Sequence, residues 1–163
     1  MDIQAVPEYW ELDERDMRSI LARNHVGRLA FAWGGEVDIR PLNYAFARDR
    51  LYGRTSATAN FVGIESPARV AFEVDEVESV FEWKSVIARG SFDILSPEGN
   101  AAEWADAVKL LRRVVHATFV PSDPVPDRTV IFRILIQEMT GRASGEPWRA
   151  GGRASPAVGT RRG

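Results

Sequence analysis

Val130-Ile131-Phe132-Arg133-Ile134-Leu135-Ile136 is the stretch on which the fold turns. It lies in an expected strand, Thr129 to Thr140, whose two faces, Val130/Phe132/Ile134/Ile136 and Ile131/Leu135/Met139, are both apolar. A strand with one face in water alternates apolar and polar residues, so this one must be covered twice. One face belongs to a core, and the other calls for a helix or a second subunit. Arg133 interrupts the run, which at seven residues is far short of the roughly 20 needed for a membrane-spanning helix.

Upstream, the periodicity builds an antiparallel sheet around that strand. In Val26 to Trp33, Leu29, Phe31 and Trp33 alternate with smaller or polar residues, and Gly34-Gly35 follows as the turn of a tight hairpin. Val37 and Ile39 share one face of the next strand, but after Pro41 the apolar parity moves to Leu42, Tyr44 and Phe46. A bulge at the proline is the expected cause, re-aiming Arg40 and Asn43. Residues 51 to 56, the alternating Val70/Phe72/Val74 and the long stretch Val80 to Leu95 supply three more strands.

Helices are few and short. Asp13 is an N-cap for residues 14 to 23, with Met17, Ile20 and Leu21 at helical spacing. Thr58 to Glu65 reads as a small helix, and Ser96-Pro97 as the cap of one carrying Ala101, Trp104, Ala105, Val108 and Leu111. The expected fold is therefore mainly β with short helices: about six antiparallel strands in a closed or split barrel, since closure removes exposed edges.

At 163 residues the chain fits one domain, here residues 1–142, followed by a flexible Arg/Gly-rich tail at 143–163. The net charge of −2 conceals an uneven distribution: four arginines against one glutamate put +3 on the tail and leave −5 on the body. An acidic body repels phosphate backbones, which argues against nucleic acid as a partner. With no cysteine there is no disulfide, thiolate metal site or cysteine nucleophile. The first residues lack the cationic and apolar regions of a secretory signal, so a cytoplasmic location is the expectation.

Motifs for dinucleotide fingerprints, phosphate loops and zinc pairs are absent, and the two histidines, His25 and His116, are read as structural or solvated. One cluster has anion chemistry. Arg54, Thr55 and Ser56 end a strand and lead toward the expected helix, combining a guanidinium, two hydroxyls and helix-start N–H groups. The alternative is that a hydroxyl merely caps the helix while Arg54 pairs with an acidic neighbour.

Six segments in order resemble the pyridoxamine 5'-phosphate oxidase-like, FMN-binding split-barrel family. They are Val26-Gly27-Arg28-Leu29-Ala30-Phe31, Arg40-Pro41-Leu42-Asn43-Tyr44, Tyr52-Gly53-Arg54-Thr55, Val70-Ala71-Phe72-Glu73-Val74-Asp75, Trp83-Lys84-Ser85-Val86-Ile87-Ala88-Arg89-Gly90 and Thr140-Gly141-Arg142. The resemblance implies a homodimer with flavin mononucleotide (FMN) in clefts between subunits. It places Arg40, Pro41, Leu42 and Asn43 along the flavin ring, Arg54, Thr55 and Ser56 at the phosphate, and Trp83, Ser85 and Val86 approaching from a neighbouring strand.

Asn60 stands where family members commonly carry a phosphate-reaching lysine. Losing that ammonium weakens binding by about 1.5 to 3 kcal/mol, taking a charged hydrogen bond as the guide. The Arg-Leu-x-Pro ending of the true oxidases is missing, which argues against pyridoxamine phosphate as substrate. The leading reading is an FMN-dependent oxidoreductase acting on a small molecule, whose chemistry the flavin ring carries. The alternatives are a deazaflavin-dependent reductase, with Arg54 and Arg89 meeting its acidic tail, and a non-catalytic flavin- or haem-binding protein with His25 or His116 as iron ligand.

Overall fold

The computed structural model describes residues 6–64 and 67–146, with residues 60 and 61 by backbone alone. Residues 147–163 of the expected tail lie outside the described residues. Seven strands and two α-helices run in the order β1 (Glu8–Glu11), α1 (Glu14–Arg23), β2 (Val26–Trp33), β3 (Glu36–Ala47), β4 (Arg50–Thr55), β5 (Ala68–Ser79), β6 (Glu82–Leu95), α2 (Ala101–Val114) and β7 (Val130–Gly145).

All neighbouring strands are antiparallel, in the order β1-β7-β4-β3-β2-β5-β6, and a further β7–β6 pairing closes β2 to β7 into a barrel. The expected count of six is thus one short. β4 covers β7 only from Val130 to Leu135, and β1 pairs with Arg142 to Gly145, so the added strand occupies an edge that β4 does not reach. β7 itself continues to Gly145, with Ala143 and Ser144 buried, so residues 143–145 belong to the sheet and not to a tail.

Phe72, Phe92, Phe132, Ile134, Leu29 and Leu51 are all but fully buried inside the barrel. α1 packs Ile20 and Leu21 into this core, and its Leu21 carbonyl accepts the Tyr44 hydroxyl at 2.8 Å. Burial of that hydroxyl pushes the tyrosine well above its ordinary pKa. The Asp13 cap is present: its carboxylate accepts the Asp16 N–H at 2.8 Å. α2 lies outside the barrel, where Ala107, Val108 and Leu111 pack with Ala45, Tyr52 and Ile131. Of the second apolar face of β7, Ile131 is therefore covered by the chain's own helix, and Met139 packs against the barrel core, which weakens the argument from the doubly apolar strand to a dimer.

Three local readings are corrected. No bulge exists at Pro41: β2 and β3 keep one unbroken register from Val26–Asn43 to Trp33–Glu36. Pro41 sits on the part of β3 that β4 does not reach, since that pairing begins at Tyr44, so its missing N–H breaks no second ladder. The change of parity instead leaves Val37 and Ile39 facing outward, 77% and 60% exposed. The helix expected at Thr58–Glu65 is a single 3-10 turn, Asn60–Gly63, and α2 starts at Ala101, after a turn in which the Ser96 hydroxyl accepts the Gly99 N–H at 2.8 Å. A real irregularity lies elsewhere. The β6–β7 register slips between Arg89 and Gly90, where a Cβ on Gly90 would run into the Leu135 carbonyl.

Candidate functional site

Arg54 sits on β4 next to Thr55, and successive strand residues face opposite ways. The Arg54 side chain takes the opposite side from Thr55, where it lines a small cleft of about 20 Å3 with Asn43, Thr118, Val125 and Arg128, and it is only 6% exposed. Its Nη2 meets Asp123 Oδ2 at 2.7 Å and Nη1 meets Oδ1 at 3.4 Å, the two-pronged pairing that a planar guanidinium favours. Nε donates to the Arg128 carbonyl at 2.9 Å, Nη2 also to the Val125 carbonyl at 3.3 Å, and Nη1 to Thr118 Oγ1 at 3.3 Å. The guanidinium carbon lies 4.3 Å from the centre of the Phe119 ring.

Asp123 is equally occupied, accepting the Phe119 N–H at 2.8 Å and the Val125 N–H at 3.0 Å besides the arginine. The guanidinium and those backbone donors hold its carboxyl down at about 2. Arg54 therefore has nothing left for a phosphate. The acidic-neighbour alternative describes it, and the 3-10 turn that replaces the helix removes the helix-start contribution to the cradle as well.

Thr55 and Ser56 nevertheless line a groove of about 870 Å3. Leu42 is also part of it, Ala57 and Thr58 continue the first wall, and residues 124–129 form the second. Ser56 and Thr58 hydroxyls lie 3.3 Å apart. The cation on this groove is Arg128, whose side chain makes no hydrogen bond or ion pair among the described residues. The hydroxyls of Thr55, Ser56 and Thr58 and the unpaired guanidinium form a donor set suited to a phosphate, with Thr129 and the Asp127 carboxylate also on the lining, and the volume falls in the range of small-molecule clefts.

Trp83 and Ser85 line a second groove, of about 680 Å3, with Ile87, Arg89, Met139 and Arg142. Arg89 donates only to Thr140 Oγ1, at 3.3 Å, and the Arg142 side chain has no partner among the described residues. The two grooves lie at opposite ends of β7: Thr55 pairs with Val130, and Trp83 with Ser144. At about 3.3 Å per residue, that is roughly 45 Å of strand contour.

The remaining sequence candidates scatter. Val86 is fully buried in the barrel core, so its side chain reaches no groove. Pro41 faces outward on β3, whereas Asn43 lines the small cleft shared by Arg54 and Arg128, its amide 3.5 Å from the His25 carbonyl. Arg40 pairs with Asp38 at 2.6 Å on the surface. The Asn60 side chain lies outside the described residues. His25 and His116 are exposed, and neither lines either groove. Arg128 was missed because it lies in a stretch without periodicity, Val125-Pro126-Asp127-Arg128, and only the fold carries it to Thr55.

A family model described as pyridoxamine 5'-phosphate oxidase matches residues 13–143. The chain belongs to that family. Its matched span runs from the cap of α1 to Ala143, two residues short of the end of β7, and so takes in nearly all of the closed barrel. Among curated relatives, the uncharacterised protein RA0666 of Rhizobium meliloti is 26% identical over 142 residues, covering 82% of this chain and 93% of its own. Among solved structures, a FAD-binding protein of Mesorhizobium loti shares 28% identity at a TM-score of 0.68, over 84% of this family member and 99% of that chain. A FAD-binding protein of Mycobacterium smegmatis, 22% identical, shares the fold at a TM-score of 0.61 over 82% and 98% of the two chains.

Proposed function

We propose that this protein binds a flavin nucleotide and works as a homodimeric flavin-dependent oxidoreductase on a small molecule. The observation that carries the reading is the groove in which Thr55, Ser56 and Thr58 meet the unpaired Arg128 beside the apolar Leu42. The Mesorhizobium loti protein, similar over nearly its whole length, is named for FAD; the sequence resemblance pointed to FMN. Both present phosphate to the same donor set.

In this arrangement the three hydroxyls donate to phosphate oxygens and Arg128 supplies the charge that the resemblance assigns to a lysine at position 60. Leu42 offers an apolar surface from which water is excluded. The bound flavin would supply hydride chemistry, with the protein orienting it and tuning it by hydrogen bonds. The dimer unites the two grooves, bringing Trp83 and Ser85 of one protomer toward Thr55 and Arg128 of its partner. The outward Val26, Val37 and Ile39, 54%, 77% and 60% exposed, form the apolar surface that such a contact buries.

The test is calorimetric titration with FMN, FAD and riboflavin, alongside an absorbance spectrum of the purified protein. Tighter binding of both nucleotides than of riboflavin is expected, with Arg128→Ala narrowing the gap. Absence of flavin bands together with no binding of any of the three defeats the reading. A Soret band in that spectrum would favour the haem alternative instead.

A further inference from the structure

We infer that Arg54 is a positioning residue for the phosphate end of the flavin groove, acting through Arg128 and never touching the ligand. The inference rests on the groove reading above. Thr55 and Arg54 are neighbours on β4 with opposite facings, so the strand that supplies one wall of the groove also supplies the clamp for the other.

Apart from the clamp, that other wall is held to α2 near its start, where Arg112 Nε donates to the Thr118 carbonyl at 3.1 Å and Phe119 stacks on Trp104 with ring centres 5.8 Å apart. Residues 115–129, between α2 and β7, contain neither an α-helix nor a strand. Besides Thr118, Arg54 gathers the segment at three points, the Arg128 carbonyl, the Val125 carbonyl and the Asp123 carboxylate. Asp123 in turn binds the N–H groups of Phe119 and Val125, and Thr118, fully buried, accepts from Arg54 while donating to the Val115 carbonyl at 2.7 Å. Phe119 adopts a left-handed φ of 56°, a conformation that costs energy and persists where the surroundings enforce it. Pro121, Pro124 and Pro126 restrict the remaining backbone.

Nε of Arg54 holds the carbonyl of residue 128 itself at 2.9 Å, adding to the Arg128 N–H bond to the Val125 carbonyl at 3.1 Å and to the Thr55–Val130 pairing two residues on, so the base of the Arg128 side chain is set relative to Thr55. Charged hydrogen bonds to phosphate are short and directional, so a displaced Arg128 loses them even though its charge remains. A clamp of this kind acts on phosphate-bearing ligands and leaves riboflavin indifferent.

The test is a double-mutant cycle read as the ratio of riboflavin to FMN dissociation constants. Arg54→Met with Asp123→Leu replaces the buried pair by apolar groups and avoids leaving a lone buried charge, which is the change such pairs tolerate. It should lower the ratio roughly tenfold or more, the worth of a charged hydrogen bond. Arg54→Lys, which keeps Asp123 paired but cannot reach all three acceptors, should give an intermediate loss. In an Arg128→Ala background the pair replacement should change the ratio no further.

An unchanged ratio in the folded pair variant overturns the inference, as does an undiminished loss in the Arg128→Ala background, which would mean that Arg54 acts by another route. If Arg128→Ala alone leaves the ratio unchanged, the groove reading falls and the positioning role falls with it. If Arg128→Ala lowers the ratio and the pair variant does not, only the positioning role is lost.

Discussion

The segment at residues 115–129 and the outer face of β2 and β3 are inverse solutions of one problem. The first takes a full ion pair out of water, Arg54 and Asp123 being 6% and 4% exposed, and completes it with hydrogen bonds to nearly every polar atom involved. The second leaves large apolar side chains in water, Val37 and Ile39 among them, on a regular ladder with no covering element among the described residues. A buried charge with all its partners in the same chain is a finished structure, and its function is internal. An exposed apolar face is unfinished, and its completion lies outside the chain. The location of charge and of apolar surface is thus less telling than whether each has a partner.

The largest effect should come from breaking the finished region. Arg54→Ala leaves the Asp123 carboxylate buried and uncompensated, and should lower the thermal midpoint by about 6 to 20 °C, measured by calorimetry. A loss of under 2 °C would mean that the segment holds itself.

The pH dependence sharpens the same point. The Asp123 carboxyl is held at about 2 in the folded protein against an ordinary value of 3.8. A depressed folded pKa stabilises the fold above the unfolded value, and that stabilisation is lost as pH falls from about 4 toward about 2. Acid unfolding followed by circular dichroism should steepen across this window in the native protein, and the Asp123→Asn variant should show a shallower limb there. Equal limbs would place the acid sensitivity in another carboxylate.

On the unfinished face, Ile39→Lys should convert a dimer to a monomer in sedimentation at micromolar concentration while moving the monomer's stability by no more than about 0.5 kcal/mol, as exposed substitutions do. A native protein that already sediments as a monomer breaks the comparison. The smallest effect belongs to Arg28, whose ion pairs with Glu73 at 3.1 Å and Asp75 at 2.9 Å lie on that same face with the arginine 46% exposed. Arg28→Ala should cost about 0.2 to 1 kcal/mol in the monomeric Ile39→Lys background. A larger cost in the dimer would show that a second copy covers the pair, because desolvation and shielding from salt raise its weight.

How far the barrel could be read in advance follows from the range of each signal. α1 was legible to the residue because its cap, its first turn and its buried stripe all lie within ten positions of Asp13. The alternation in β2, β5, β6 and β7 was equally local. β1 was not, since four residues, Glu8 to Glu11, carry no period, and their partner strand stands more than 130 residues away. Pro41 misled in the opposite direction: its parity change was real, but it marks apolar residues placed on the outside of an unbroken ladder and not a bulge.

For the site, the residue types of an anion cradle were visible at Arg54, Thr55 and Ser56, but the assignment of the charge was not. Periodicity and local chemistry determine which face each residue of a strand takes, and while the family came from the resemblance, they determined here a mainly antiparallel barrel in which Thr55 ends β4 and Ser56 follows it. Only the tertiary structure decided which arginine serves them, because Asp123, 69 residues beyond Arg54, reaches it through a segment without period or motif. That contact consumes one guanidinium and leaves Arg128 unpaired on the groove. An ion pair depends on distance in space, and a sequence records only distance along the chain.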